Sequence, residues 1–170
     1  MAGDLFTERR AEFSPCRRYR YWLEIVWDRK RPVLVVCMLN PSTADEFAND
    51  PTVERCVRRA KSVEFGGLVV VNAFAWRSTD PNELYKVSDP AGPENDGFIA
   101  TAAKVAGLML CGWGTHVERV LPGRTAAVLR IISDAGGTPH ALKINADGSP
   151  QHPLYVGYDV QPVPYRGAAP

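Results

Sequence analysis

Four times along this chain an apolar run ends in a knot of polar, aromatic and turn-forming residues. Val33-Leu34-Val35-Val36-Cys37-Met38-Leu39 empties into Asn40-Pro41-Ser42-Thr43-Ala44-Asp45, and Leu68-Val69-Val70-Val71 into Asn72-Ala73-Phe74-Ala75-Trp76-Arg77. Leu108-Met109-Leu110-Cys111 leads to Gly112-Trp113-Gly114-Thr115-His116, and His140-Ala141-Leu142-Lys143-Ile144 to Ser149-Pro150-Gln151-His152-Pro153-Leu154-Tyr155. Runs this short read as buried strands rather than membrane spans. Open α/β proteins carry their sites on the loops that follow such strands. The unusual polar residues are therefore expected along one edge of one sheet.

The stretches between supply the other elements. Arg18–Trp27 roughly alternates and is rich in aromatic and β-branched residues, a strand pattern, and Asp28-Arg29-Lys30-Arg31 turns it into the Val33–Leu39 strand as a hairpin at the sheet margin. Asp50 as cap, Pro51 in the first position and Glu54 in the first turn predict a helix running towards Gly66-Gly67, with Val53, Cys56, Val57 and Ala60 buried and Arg55, Arg58 and Arg59 along one side. A Pro- and Gly-punctuated loop spans Ser78 to Pro93, interrupted by Glu83-Leu84-Tyr85-Lys86. Helices follow over Glu94–Ala106 and Arg124–Ser133, the second closed by Gly136-Gly137. The pattern predicts a three-layer α/β/α fold with a mostly parallel central sheet and an N-terminal β-hairpin. One domain is expected over residues 18–157, between a flexible N-terminus (1–17) and a Pro-rich tail (158–170), without internal repeats.

Composition narrows the partners. A chain of 170 residues with 45% hydrophobic content suits one domain with a substantial core. The net charge of +1 and pI near 7.7 set up no global field, so a nucleic acid has to be held by a local patch. Arginine clusters at Arg17, Arg18 and Arg20, at Arg29 and Arg31, and at Arg55, Arg58 and Arg59; in isolation these read as solvated faces. The N-terminus lacks a secretory pattern and no apolar run reaches bilayer length, which predicts a cytoplasmic protein away from membranes. The cysteines Cys16, Cys37, Cys56 and Cys111 form no C-x-x-C pair, and Cys37 and Cys111 sit in strand patterns as small hydrophobes, so no disulfide, metal or cofactor is expected. G-x-G-x-x-G, P-loop and G-x-S-x-G motifs do not occur.

Taken singly, the candidate residues have bland explanations. Asn40-Pro41-Ser42-Thr43 serves as a helix-start turn, His116 and His152 as surface or hydrogen-bonded residues, and Trp113 as a core residue between two turn-permitting glycines. Asp45, Asp80, Asp89 and Asp96 each suit a turn or cap.

The joint order of the motifs carries more. Asn-Pro after the first apolar run, Val-Val-Val-Asn at the second, Trp-Gly-x-His after the third and His-Pro-Leu after the fourth resemble the uracil-DNA glycosylase superfamily over roughly Val33–Tyr155. The set LNPSTAD, DPT, NAFAWRSTDP, ND, GWGTH and HPLY is also similar to a bacterial domain family without assigned function. The glycosylase resemblance implies a DNA glycosylase that hydrolyses the N-glycosidic bond of a uracil-like or modified pyrimidine base. Asn40 matches the water-positioning residue, Asn72 the base-reading residue and His152 the residue supporting the departing base. Asn40 stands where many members have Asp; an amide orients water without acting as a base, so either low rates are expected or the base role falls to a nearby carboxylate such as Asp45. Phe74, Trp76 or Trp113 are expected to stack on the flipped base, with His116 also in the base pocket. Ser42, Arg55, Arg59, Arg77, Ser149 and Tyr155 are expected along the DNA, bound by a monomer. The competing readings are a module that binds a nucleobase or nucleic acid without cleaving it, and a hydrolase of free nucleotides or another small substrate using Asp45 and His116.

Overall fold

Side chains alternate across a strand, so a strand covered on both faces must be apolar throughout. The three longest apolar runs have this position. A computed structural model describes residues 6–168 and sets Val33–Met38 (β3) between Gly67–Asn72 (β4) and Ala106–Cys111 (β5), with Pro139–Ala141 (β6) beyond β5; all four run parallel. Val35, Cys37, Val69, Val71 and Met109 pack on one face against Ile99 and Ala102 of α2 (Asn95–Val105) and Val128 and Ile132 of α4 (Arg124–Asp134). Leu34, Val36, Leu68, Val70 and Leu110 pack on the other against Val53, Cys56, Val57 and Ala60 of α1 (Pro51–Ser62).

The start of α1 follows the sequence signals. The Asp50 side chain accepts the Val53 N–H at 2.8 Å, Pro51 fills the first turn and Glu54 adds negative charge there. The helix stops at Ser62, short of Gly66, where Glu64 takes a left-handed φ of 63°. Burial pushes the thiols of Cys37 and Cys56 up to about 12, as suits cysteines used as small hydrophobes.

The sheet is mixed rather than mostly parallel. Its order is β1-β2-β4-β3-β5-β6-β7, with β1 (Glu8–Phe13), β2 (Arg20–Val26) and β7 (Val163–Pro164) joining by antiparallel pairing. The expected β2–β3 hairpin does not form. β2 pairs with β1 and β4, because β3 has two apolar faces to bury and takes the centre, while β2 keeps the half-buried Glu24 near the margin. Both termini expected outside the domain contribute to the sheet. Glu8–Phe13 is a charged strand of the kind that protects a sheet edge from pairing with other chains, and Tyr165 after β7 is buried. A short helix α3 (Val117–Val120) and 3-10 turns at Pro81–Tyr85 and Pro153–Tyr155 complete the elements used below. No helix among the described residues is long and apolar enough to cross a membrane.

Candidate functional site

The chain leaves β3 for β4 on one side and then crosses to β5 on the other, so the loops after β3, β4 and β5 diverge at the carboxyl edge of the sheet. Such a divergence leaves a crevice. A cleft of about 520 Å³ lies there, within the roughly 300–1,000 Å³ usual for small-molecule sites. Of the residues expected in a site, Asn40, Ser42, Asn72, Trp113, His116, His152 and Tyr155 line it.

Asn72 closes β4 and is only 2% exposed, yet neither its Nδ2 nor its Oδ1 has a hydrogen-bond partner among the described residues. A buried amide left unsatisfied costs about 1–3 kcal/mol, and buried polar groups are nearly always paired. Its backbone is held from the opposite face. Asn95 Nδ2 donates to the carbonyls of Asn72 at 2.9 Å and Ala73 at 3.3 Å, and Arg124 Nε donates to Ala73 O at 2.9 Å. The first residues of α2 and α4 thus fix the strand end while the Asn72 side chain stays free.

Asn40 and His152 are polarised by their surroundings. Asn40 Nδ2 donates to the carbonyls of Pro41, Trp76 and Ser78 at 3.1, 3.3 and 2.9 Å, tying the β3 and β4 loops together. Its Oδ1 remains an oriented acceptor without a donor among the described residues. The Leu154 N–H donates to His152 Nδ1 at 3.3 Å, assigning the neutral ring's proton to Nε2. Burial lowers the His152 pKa and the Asp50 carboxylate works against that, so the neutral ring is favoured. The His152 loop sits close to Gly112: a Cβ there would meet Pro153 Cδ at 2.7 Å, so the strand end accommodates the His-Pro turn through the missing side chain. His116 Nδ1 lies 3.1 Å from the Tyr85 hydroxyl, and Tyr155 is an exposed aromatic at the cleft rim.

Other expected site residues serve the fold. Asp45 is not in the cleft; its Oδ1 accepts the N–H groups of Phe47 and Ala48, which lowers its pKa and closes a tight turn, so it is not placed to act as a base. The carboxylate lining the cleft is that of Asp50. Phe74 is fully buried in the α2–α4 core and offers no stacking face. Trp113 touches the cleft but is 2% exposed and packs edge-on against Tyr165, and Trp76 is half-buried with an edge contact to Tyr19. Arg55 and Arg59 do not form a phosphate groove. Arg55 donates to the carbonyls of Pro153 and Val156, Arg59 to those of Val156 and Gly157, and the Tyr158 ring covers both. Arg77 donates to Arg17 O and lies over Phe13, and Ser149 is engaged with Asp147 and Asn145 in a turn outside the cleft. Among the described residues no cluster of three or more His, Cys, Asp or Glu side chains is arranged to hold a metal ion.

Besides Asp50, read from the sequence only as a helix cap, Arg20 is the cleft residue that sequence reasoning missed. Counted there among solvated arginines, it is 2% exposed and lines the cleft. The available signal was its place inside a strand of large apolar residues, Tyr19 to Trp22, where a solvated arginine fits poorly.

The chain belongs to a family of proteins of unknown function, DUF1643, whose match spans residues 20–154. That span runs from Arg20 to Leu154 and so contains every cleft residue named above except Tyr155. No curated protein and no solved structure matches the chain.

Proposed function

We propose that the cleft receives a uracil-like base and that the protein is a glycosylase-type hydrolase of the N-glycosidic bond, with DNA as its partner. The observation that carries this reading is Asn72, whose buried amide offers one donor and one acceptor side by side and has nothing among the described residues to satisfy it. The complement of an amide is a donor–acceptor edge, which a pyrimidine imide presents. Around it, Asn40 Oδ1 orients a water, and the Nε2–H of neutral His152 donates to the departing base. Asp50, the carboxylate of the cleft, favours the positive charge that develops on the sugar. The resemblance to the uracil-DNA glycosylase superfamily supports the same assignment, since its matched positions Asn40, Asn72 and His152 all line one cleft. The two helix-covered faces of the sheet support that superfamily's three-layer architecture as the finer description of the fold.

A second reading, hydrolysis of a free nucleoside or nucleotide, is favoured by one observation. Arg55 and Arg59, expected to grip a phosphate backbone, are bound instead to backbone carbonyls. One experiment tests both. Oligonucleotides carrying uracil or modified pyrimidines, single- and double-stranded, are incubated with the protein beside the matching nucleosides and nucleotides, and abasic sites and released bases are quantified. Release from at least one substrate is expected, reduced about a hundredfold or more by His152→Ala, the scale of losing one preorganised donor. Release confined to nucleosides or nucleotides selects the second reading; no release from any substrate refutes hydrolysis.

A further inference from the structure

Three arginines of this chain are buried, and two have their charge answered. Arg124 pairs with Asp96 at 2.8 Å and with Ala73 O, and Arg59 holds two carbonyls under the Tyr158 ring. Arg20 has neither arrangement. Its Nη1 donates to a single carbonyl, Ala44 O, no ring covers it, its Nε, like that of Arg59, has no partner among the described residues, and no carboxylate of those residues pairs with it. Burial lowers its pKa to about 10, partly offset by the more distant Asp50, and it remains a cation at neutral pH.

Its placement depends on an irregularity in the strand. Trp22 faces the α2 side with the core there, and regular alternation from Trp22 would point Arg20 to that side as well. The β1–β2 register shifts instead: Glu12 pairs with Trp22 and Phe13 with Arg20, so Tyr21 is an extra residue. Tyr21 stacks on Phe98 of α2 at 5.1 Å, on the same side as Trp22, and Arg20 turns to the opposite face, where the cleft lies. Bulges beside sites commonly re-aim one side chain in this way. β2 also runs antiparallel to β4, so its first residue falls beside the end of β4, with Arg20 N donating to Ala75 O.

We propose that Arg20 is the specificity-determining cation of the cleft, binding the carbonyl edge of an imide base and the negative charge that edge acquires when the base leaves. This rests on the base-pocket reading and narrows its substrate class. A guanidinium only donates, so a keto or imide edge is accepted and an exocyclic amino group facing it is rejected. In the reaction the C1′–N bond breaks and its electron pair stays on the base nitrogen. Water oxygen bonds to C1′ and releases its proton to solvent, and the base leaves as an anion that is protonated afterwards. Arg20 and Asp50, both lining the cleft, match the two charges so separated, negative on the base and positive on the sugar. Arg20 is as deeply buried as Asn72, which suits the buried end of a ligand, the base, better than a phosphate at the mouth.

The test is calorimetric binding at neutral pH of uracil, of 5-nitrouracil, which ionises far more readily, and of cytosine, to wild type, Arg20→Gln and Arg20→Lys, with circular dichroism confirming the fold. Wild type is expected to bind 5-nitrouracil about tenfold or more tighter than uracil, the scale of one charge-assisted hydrogen bond, and cytosine more weakly still. R20Q is expected to lose the preference for the anion and R20K to keep part of it, so a glutamine variant that fails to fold leaves the lysine variant as the test. An anion preference unchanged in R20Q, or no preference in wild type, overturns the proposal while leaving the base pocket intact. So does Arg20-dependent selection of uridine 5′-monophosphate over uridine, which would make phosphate the ligand of Arg20. Failure of wild type to bind any of the bases removes the base-pocket reading and this inference together.

Discussion

Replacing Asn72 with leucine is expected to stabilise the protein while removing ligand binding. Leucine has nearly the shape of asparagine, so the change removes two polar atoms and leaves the packing largely intact. Both atoms are buried without partners. If relieving that desolvation penalty recovers about 1–3 kcal/mol, and each kcal/mol moves the melting temperature of a chain this size by about 2–4 °C, the variant should melt roughly 2–12 °C higher. On the proposed base-pocket reading the same change removes two ligand hydrogen bonds, each worth about 0.5–1.5 kcal/mol. Affinity for a uracil-type base should therefore fall by roughly 5- to 150-fold. Differential scanning calorimetry gives the first quantity and isothermal titration the second. A lower melting temperature with unchanged affinity would refute the reasoning, because it would mean that the amide is satisfied within the folded protein and serves the fold.

Two further outcomes follow from the geometry. Arg55→Ala/Arg59→Ala should destabilise by roughly 2–4 kcal/mol in urea unfolding, since charge-assisted bonds to the Pro153, Val156 and Gly157 carbonyls are lost, while the salt dependence of any DNA binding stays as in wild type. For His152, burial lowers the folded-state pKa below the ordinary 6.5, so on acidification the unfolded chain takes up its proton first; this contribution to stability is intact above about pH 6.5 and is lost as pH falls from there through the folded value. Base binding should persist as pH drops through 6.5 and fail only lower, whereas a decline centred at 6.5 would show an unperturbed imidazole.

How much of this was legible in the sequence depends on where each residue's partners lie. The parallel strands β3, β4 and β5 and the cap of α1 are local signals: apolar runs bounded by turns, and Asp-Pro before an amphipathic helix. The convergence of Asn40, Asn72 and His152 followed from their shared place after strands. Asp45 and Ser149 are taken up by turns of their own loops, whereas the other misread side chains have partners far away in sequence. Arg55 and Arg59 sit where a solvated or phosphate-binding face is expected, and they are claimed by carbonyls about a hundred residues later in the chain. Phe74 follows Asn72 by two residues, but with the strand finished the period-two rule no longer predicts its direction, and it turns into the α2–α4 core. Arg20 reaches the cleft only because Tyr21 is an extra residue in a pairing with β1, a strand whose charged sequence resembles a loose terminus.

These misreadings separate two kinds of polar residue. Arg59 and Arg124 violate the rule that charges stay outside, and each violation is resolved by hydrogen bonds or an ion pair that fixes one element against another. Arg20 and Asn72 violate the same rule without such resolution, and both line the same cleft. Natural sequences keep unresolved polar groups mainly where function requires them. Single buried atoms without a partner also occur away from the cleft, at Tyr21 Oη, Arg59 Nε, Arg77 Nε and Asn95 Oδ1, but among the described residues Asn72 is the buried amide with neither polar atom paired. It meets Arg20 in one cavity beside an asparagine and a histidine whose free atoms are set by backbone contacts, an arrangement suited to a ligand that completes both.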